Sequence, residues 1–290
     1  MARIAWIGAG KMGLPICKRL QAAGHDVRIL ARRAEQVAKL ASLGLAVTGS
    51  VSELVRDADI IFTAVTDDQA LADVVLNNSF NVVVSATYID MSTVSPSISE
   101  EIARHLPSSI AYLRSPVSGS TAMAEAGTLT ALVSGPKAVF ENMADVFAAF
   151  TKKAFHVGEA EEARFLKLAI NSMVAATSAL LGEALAFGLK GGLSHATMLE
   201  VITQSAVASP LIGYKKDMII SGDYSPAATL DMLRKDLDLL MTAAQQQGTP
   251  LPVNSMISSI YQAASAKGLG GKDFFVLVQE AENAASSKTG

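Results

Sequence analysis

Residues 4–13, Ile4-Ala5-Trp6-Ile7-Gly8-Ala9-Gly10-Lys11-Met12-Gly13, space three glycines as G-x-G-x-x-G between a short apolar run and a stretch with apolar residues at helical spacing. Few backbones satisfy that combination. A strand must turn sharply into a helix at Gly8, the two must pack closely at Gly13, and Gly10 leaves its backbone open to approach. The helix N-terminus then offers unpaired N–H groups and the positive end of its dipole, which suits a pyrophosphate. The motif predicts the first βα turn of a dinucleotide-binding domain, with Gly8, Ala9, Gly10, Lys11, Met12 and Gly13 against the cofactor.

The following residues agree with a parallel sheet. Strand-like runs at Ile4–Ile7, Val27–Leu30, Ile60–Ala64, Tyr88–Asp90 and Ile110–Leu113 alternate with helical patterns at Lys11–Ala23, Glu35–Leu43, Gln69–Leu76 and Pro96–Leu106. Such alternation is the mark of βαβ units. Two more strand-like runs, Thr130–Ser134 and Ala154–Val157, flank a helix at Pro136–Phe150. After Gly158 only helical patterns remain, at Glu161–Lys190, Ala196–Ser205, Leu211–Ile220, Ala227–Gln247, Pro252–Ala266 and Phe274–Ala284, separated by Gly- and Pro-containing breaks and ending in a polar tail from Ser286. The expected architecture is an α/β Rossmann domain over residues 1–159 and an all-α domain over 160–290 that opens with a long interdomain helix.

Composition narrows the function classes. Half of the 290 residues are hydrophobic, so a membrane segment has to be considered. The most apolar run, Leu168–Gly182, carries Asn171, Ser172, Thr177 and Ser178 and falls short of the ~20 apolar residues that span a bilayer. The 24 basic and 27 acidic residues are dispersed, without the basic block that follows a phosphate backbone. No membrane and no nucleic acid are therefore expected as partners. Strand-like residues begin at Arg3, which leaves no place for a secretory signal, and a cytoplasmic location is expected. Cys17, the single cysteine, lies on the inner face of the first helix and is expected to serve packing. His25, His105, His156 and His195 are scattered singly, so no metal is expected.

Two further places carry chemistry. The tip of the second strand normally bears an acid for the ribose hydroxyls of NAD, or an arginine where a 2′-phosphate is accommodated. Here it reads Leu30-Ala31-Arg32-Arg33, so NADP is expected over NAD, with Arg32 and Arg33 in the cofactor set. In the long helix, Lys167 stands among Phe165, Leu166, Leu168, Ala169 and Ile170, with Asn171 four residues on and hence on the same face. A partly desolvated lysine suits proton transfer with a substrate hydroxyl, and Asn171 can orient that hydroxyl. A lone lysine on a helix is more often a surface residue, and the residues alone leave both readings open.

The glycine motif, Asp90-Met91-Ser92-Thr93, Ser115-Pro116-Val117-Ser118-Gly119-Ser120 with Gly127-Thr128-Leu129, Lys167 with Asn171, and Lys235-Asp236 follow one another in an order that resembles the β-hydroxyacid dehydrogenase family, over nearly the whole chain. The nucleotide domain of 6-phosphogluconate dehydrogenase is related to that family. The resemblance implies a hydride-transferring oxidoreductase with Lys167 as general acid or base and Asn171 as its partner on the substrate. It implies that Ser118, Gly119 and Ser120 hold a substrate carboxylate and that Val65 and Thr93 border the nicotinamide. Lys235 would reach cofactor and substrate, with Asp236 beside it. A small carboxylate-bearing aldehyde or keto acid, glyoxylate and succinic semialdehyde among the nearest, is the substrate implied. The apolar helices of the second half suggest a homodimer or homotetramer.

Three positions depart from the family pattern. Arg114 stands where an acid is usual, Ser120 replaces the last glycine of the substrate loop, and Ala228 replaces an aromatic before the Lys-Asp pair, which suggests a wider pocket. The stretch Gly158-Glu159-Ala160-Glu161-Glu162-Ala163, usually glycine-rich, is acidic here, and acids in a first helical turn suit the dipole. Two other readings remain: an NADPH-dependent imine reductase, a family with the same two-domain plan but Asp or Tyr at the catalytic position, and a non-catalytic NADP-binding sensor.

Overall fold

Ile4 and Trp6 face one side of the first strand and Ala5 and Ile7 the other, and all four are buried. That is the period-two signature of a strand covered on both faces. In the computed structural model, which describes residues 1–77 and 79–286, this strand is β1 (Arg3–Ile7). The chain continues through α1 (Gly13–Ala22), β2 (Asp26–Leu30), α2 (Ala34–Ser42), β3 (Ala46–Thr48), α3 (Val51–Val55), β4 (Ile60–Thr63), α4 (Asp68–Val75), β5 (Ala86–Asp90), α5 (Pro96–His105) and β6 (Ile110–Arg114). These six strands lie parallel in the order β3-β2-β1-β4-β5-β6, the doubly wound order of a dinucleotide-binding sheet, with its switch point between β1 and β4.

The sheet then extends through β7 (Val117–Ser118), α6 (Thr121–Ala126), β8 (Leu129–Ser134), α7 (Lys137–Asn142), α8 (Ala144–Ala148) and β9 (Thr151–Gly158). β8 runs antiparallel to β6 and β7 and parallel to β9. Trp6, Phe62, Phe147 and Phe150 fill one face of the sheet, while Ile61, Phe80, Tyr88 and Tyr112 fill the other. Each large side chain so buried contributes about 1.5–3 kcal/mol. Cys17 belongs to the first group, and burial pushes its thiol well above the ordinary range.

The contacts of the chain define two compact units, the first covering Met1–Lys167 and the second starting at Leu168. The helical elements are α9 (Glu162–Lys190), α10 (His195–Ile202), α11 (Pro210–Ser221), α12 (Leu230–Gln247), α13 (Pro252–Ala264) and α14 (Leu277–Ser286). The starts of α10, α11 and α12 are capped by Ser194, Ser209 and Thr229, whose hydroxyls accept from the backbone three residues on, and α11 and α12 stop at left-handed Gly222 and Gly248. Leu185, Leu199, Ile219, Leu237, Tyr261, Phe275 and Val278 form the core of the second unit.

The structure departs from the sequence expectations at several boundaries. β3, α3, β7 and α6 have three, five, two and six residues, too short for periodicity to register. α3 did carry a local sign, the Ser50-x-x-Glu53 capping pattern, and Ser50 Oγ does accept from Glu53 N. The helix expected over Pro136–Phe150 is two short ones meeting at Met143. The one expected from Ala227 starts at Leu230 because Thr229 caps it, and the last one is preceded by a 3-10 turn, Phe274–Val276, capped by Asp273. Residues 287–290 of the polar tail lie outside the described residues.

α9 would be about 43 Å long at 1.5 Å per residue. An 18-residue window in it reaches a mean hydropathy of 1.5, so the whole helix, unlike the shorter run Leu168–Gly182, is long and apolar enough by length and composition alone to cross a membrane. Its Ala175, Ser178, Ala179, Leu181, Leu185 and Ala186 are nevertheless buried, and Ser178 Oγ shares a 2.7 Å hydrogen bond with the hydroxyl of Tyr261 on α13.

The second unit also buries the ion pair of Lys215 with Asp273. Lys215 Nζ lies 2.5 Å from Asp273 Oδ2, 5.0 Å from the Phe274 ring centroid, and Asp273 Oδ1 accepts from Phe275 N at 3.1 Å. Removing one member of such a pair strands the other charge away from water. Lys215→Met is expected to destabilise the protein by about 3–5 kcal/mol, measurable as a lowered urea midpoint at unchanged slope.

Candidate active site

At the switch point of the sheet the backbone comes too close for side chains. A Cβ on Gly8, whose φ is +99°, would lie 2.2 Å from the Ala64 carbonyl oxygen, and one on Gly13 would lie 2.5 Å from the Gly8 oxygen and 2.8 Å from Trp6 Nε1. Gly10 differs: a Cβ there meets no heavy atom within 4 Å. The first and third glycines thus serve internal packing, and the second faces open space. Such a cradle fits a dinucleotide pyrophosphate laid on the start of α1. Lys11 is exposed beside Gly10, and Met12 Sδ accepts from Thr121 Oγ1 at 3.9 Å, linking the loop to α6. Arg32 and Arg33 are exposed immediately after β2, and Arg33 is the extended residue that starts α2. Asp26 opens β2 at the opposite end.

The turns after β4 and β5 are held from beneath. Val65 N donates to Ser92 Oγ at 3.0 Å, and Ser92 is joined to Asp90 through its own N (3.0 Å) and Oγ (2.6 Å). Thr63 Oγ1 donates to the same Asp90 oxygen at 2.6 Å, while the other oxygen binds Arg164 Nη2. Arg164 Nη1 donates to Ser92 O at 2.6 Å, Nη2 to Tyr112 OH at 3.1 Å and Nε to Ser99 Oγ at 3.3 Å. Both charged groups are almost wholly buried. Burial is the largest single influence and opposes the guanidinium charge, but Asp90, Tyr112 and Glu161 together outweigh it and keep the Arg164 pKa above its ordinary value. Burial, reinforced by Asp90, raises the Tyr88 and Tyr112 hydroxyls, so both phenols stay neutral. Thr93 follows this anchored segment, half-buried.

Ser118 pairs with Thr130 in the short β7–β8 ladder. Gly119 turns the chain with φ +141°, and a Cβ there would stand 2.7 Å from Leu129 Cδ2, so the position requires glycine. The Ser120 hydroxyl, which stands where the family has the last glycine of the loop, accepts from Met123 N at 3.4 Å and caps α6.

Arg114 and Glu161, noted above as unrelated departures, are partners. Arg114 Nε donates to Glu161 Oε1 at 2.8 Å and Nη2 binds the same oxygen, with both side chains buried. Glu161 therefore has a role beyond the helix dipole, as the buried partner of Arg114. The dipole also suits Glu162, which lies in the first turn of α9 and accepts from Ala160 N at 2.7 Å.

Lys167, half-buried, closes the first unit. Asn171 follows one turn later on α9. In the second unit Asn171 Nδ2 donates to Asp236 Oδ2 at 2.6 Å, and Lys235 Nζ lies 3.1 Å from Asp236 Oδ1 as a charge contact rather than a directed hydrogen bond. An ionised carboxylate only accepts, so Asp236 sets the orientation of the Asn171 amide. Ala228 packs against the apolar core of the second unit. The residues that sequence reasoning missed are Asp90 and Arg164 as an ion pair. The available sign was a lone arginine inside the apolar stretch 163–170, one turn before Lys167.

Residues 3–158 match the family described as the NAD binding domain of 6-phosphogluconate dehydrogenase, and residues 162–280 match that described as NAD-binding of NADP-dependent 3-hydroxyisobutyrate dehydrogenase. The chain belongs to the β-hydroxyacid dehydrogenase family. Among its relatives, 2-(hydroxymethyl)glutarate dehydrogenase of Eubacterium barkeri is 32% identical over 96% of this chain and 94% of its own. Glyoxylate/succinic semialdehyde reductase 2 of Arabidopsis thaliana is 29% identical over 98% and 80%. The structure of Mycobacterium tuberculosis 3-hydroxyisobutyrate dehydrogenase with L-serine is 26% identical and superposes with a TM-score of 0.87 over 97% of this chain and 99% of its own. This β-hydroxyacid dehydrogenase is accordingly an NAD(P)-dependent oxidoreductase.

The two kinds of glycine separate experimentally. Gly13→Ala is expected to lower the melting temperature, through overpacking that costs about 1–3 kcal/mol. Gly10→Ala should melt like the wild type yet lose cofactor affinity. Trp6, the only tryptophan, sits behind the loop, so energy transfer from it to bound reduced cofactor reports the binding.

Proposed function

We propose that the protein is an NADP-dependent oxidoreductase that interconverts a small hydroxy acid and its semialdehyde or keto acid, with Lys167 as general acid–base. The observation that carries this reading is the Lys167–Asn171 pair on one helix, with Asp236 orienting the Asn171 amide and holding Lys235 alongside. A nicotinamide held on the Gly8–Gly13 loop would, when bound, supply the chemistry of hydride transfer at the substrate carbon. In reduction the Lys167 ammonium donates a proton to the carbonyl oxygen; in oxidation the neutral amine takes the hydroxyl proton. Asn171, its Nδ2 committed to Asp236, turns its oxygen toward the substrate hydroxyl. Ser118 and the backbone at Gly119 bind the carboxylate, and Lys235 adds positive charge. Val65 and Thr93 border the nicotinamide from turns stiffened by Ser92.

The preference for NADP rests on Arg32 and Arg33, exposed at the tip of β2 where no acid stands to bind the ribose hydroxyls. The test is oxidation of NADPH and NADH against semialdehydes, keto acids and cyclic imines, comparing wild type with Lys167→Ala and Arg32→Ala/Arg33→Ala. We expect reduction of a carboxylate-bearing carbonyl with NADPH, falling by roughly 10²–10⁴ in kcat in Lys167→Ala. The double arginine variant should raise KM for NADPH and spare that for NADH. A wild-type preference for NADH would remove the cofactor assignment, and imine reduction that survives Lys167→Ala would remove the lysine mechanism.

A further inference from the structure

Strands β5 and β6 end side by side in opposite charges, since Asp90 and Arg114 are register partners. The start of α9 and the residue before it carry the complementary pair, Glu161 and Arg164, three residues apart. Arg114 binds Glu161 and Arg164 binds Asp90, so four buried charges sum to zero. The two pairs also sense each other, since Glu161 contributes to holding the charge on Arg164.

One ion pair leaves a helix free to roll about the contact. Two pairs, rooted on adjacent strands and three residues apart on the chain entering the helix, set both its axial register and its rotation. Packed apolar groups would hold the helix at least as firmly, because desolvating four charges is expensive. Charge-assisted hydrogen bonds add direction, which apolar contacts lack. Lys167 lies three residues beyond Arg164, about 4.5 Å further along the axis.

We propose that Asp90, Arg114, Glu161 and Arg164 form a four-charge clamp that positions Lys167 for proton transfer, an inference that rests on the role given to Lys167 above. These are positioning residues and none of them touches the substrate. The Arg114–Glu161 pair is the adjustable half: among the described residues Glu161 Oε2 has no hydrogen-bond partner and Arg114 directs that carboxylate, whereas Asp90 is held by Thr63 and Ser92 as well.

The experiment compares full-length Arg114→Met, Glu161→Gln and the charge swap Arg114→Glu/Glu161→Arg with wild type and Lys167→Ala. The readouts are kcat and KM, cofactor affinity from Trp6 energy transfer, and the ¹³C resonance of reductively methylated Lys167, assigned by its loss in Lys167→Arg. The single variants should lose about 10–100-fold in kcat, as for a misplacement on the order of 1 Å, with cofactor affinity held within about threefold and the Lys167 resonance moved. The swap should bring kcat and the resonance back together. Folded single variants with unchanged kcat and an unmoved resonance overturn the clamp, even if they melt earlier, as does a swap that restores melting but neither other readout. Full activity in Lys167→Ala would instead remove the proton-transfer role, and the resonance would still decide whether the clamp sets the position of that lysine.

Discussion

Asp90 and Arg164 have almost no contact with water, and desolvating such a pair costs several kcal/mol per ion unless the remaining lone pairs and N–H groups find partners. Here they do. Asp90 takes donors from a hydroxyl, a backbone N–H, a second hydroxyl and the guanidinium, and Arg164 reaches a carbonyl and two further hydroxyls. Through Ser92 the same network reaches Val65 N after β4, and through Tyr112 it reaches β6. Three neighbouring strands and the start of α9 are thereby tied to one charge pair. Loss of either charge would leave the other uncompensated in the part of the sheet nearest the cofactor loop.

The two units solve the positioning problem with different means. In the first, close backbone approach and polar anchoring place the turns at the carboxyl ends of the strands, where an open α/β sheet binds its ligands. In the second, capped helices around an apolar core present Asn171, Lys235 and Asp236 as a connected group from α9 and α12. The first arrangement tolerates little change in residue size; the second depends on helix registers set by Thr229 and its neighbours.

Much of this was legible in the sequence. The glycine spacing, the alternation of β and α patterns and its cessation after Gly158 gave the architecture, because each rests on local chemistry repeated over many residues. Short elements escaped: β7 has two residues and exists only through its pairing with β8, a contact with no local trace. The grouping of Asn171 with Asp236 joins positions 65 residues apart. Resemblance to the family suggested that they belong together, whereas periodicity could not. The charge network went unread for a similar reason. Arg114 and Glu161 each looked anomalous beside the family pattern, and only their three-dimensional contact shows that one accounts for the other.

That contact bears on the history of the chain. An acid at position 114 would face Glu161 in a buried space and leave the Arg164 guanidinium as the nearest cation to three carboxylates, and Arg114 without Glu161 would itself be stranded. Neither change is neutral by itself, so the two positions can be exchanged only together or by way of an uncharged intermediate. A change at 114 in this chain therefore alters the entrance of α9 as well as the end of β6, and a path that changed one site at a time would pass through combinations that this fold penalises.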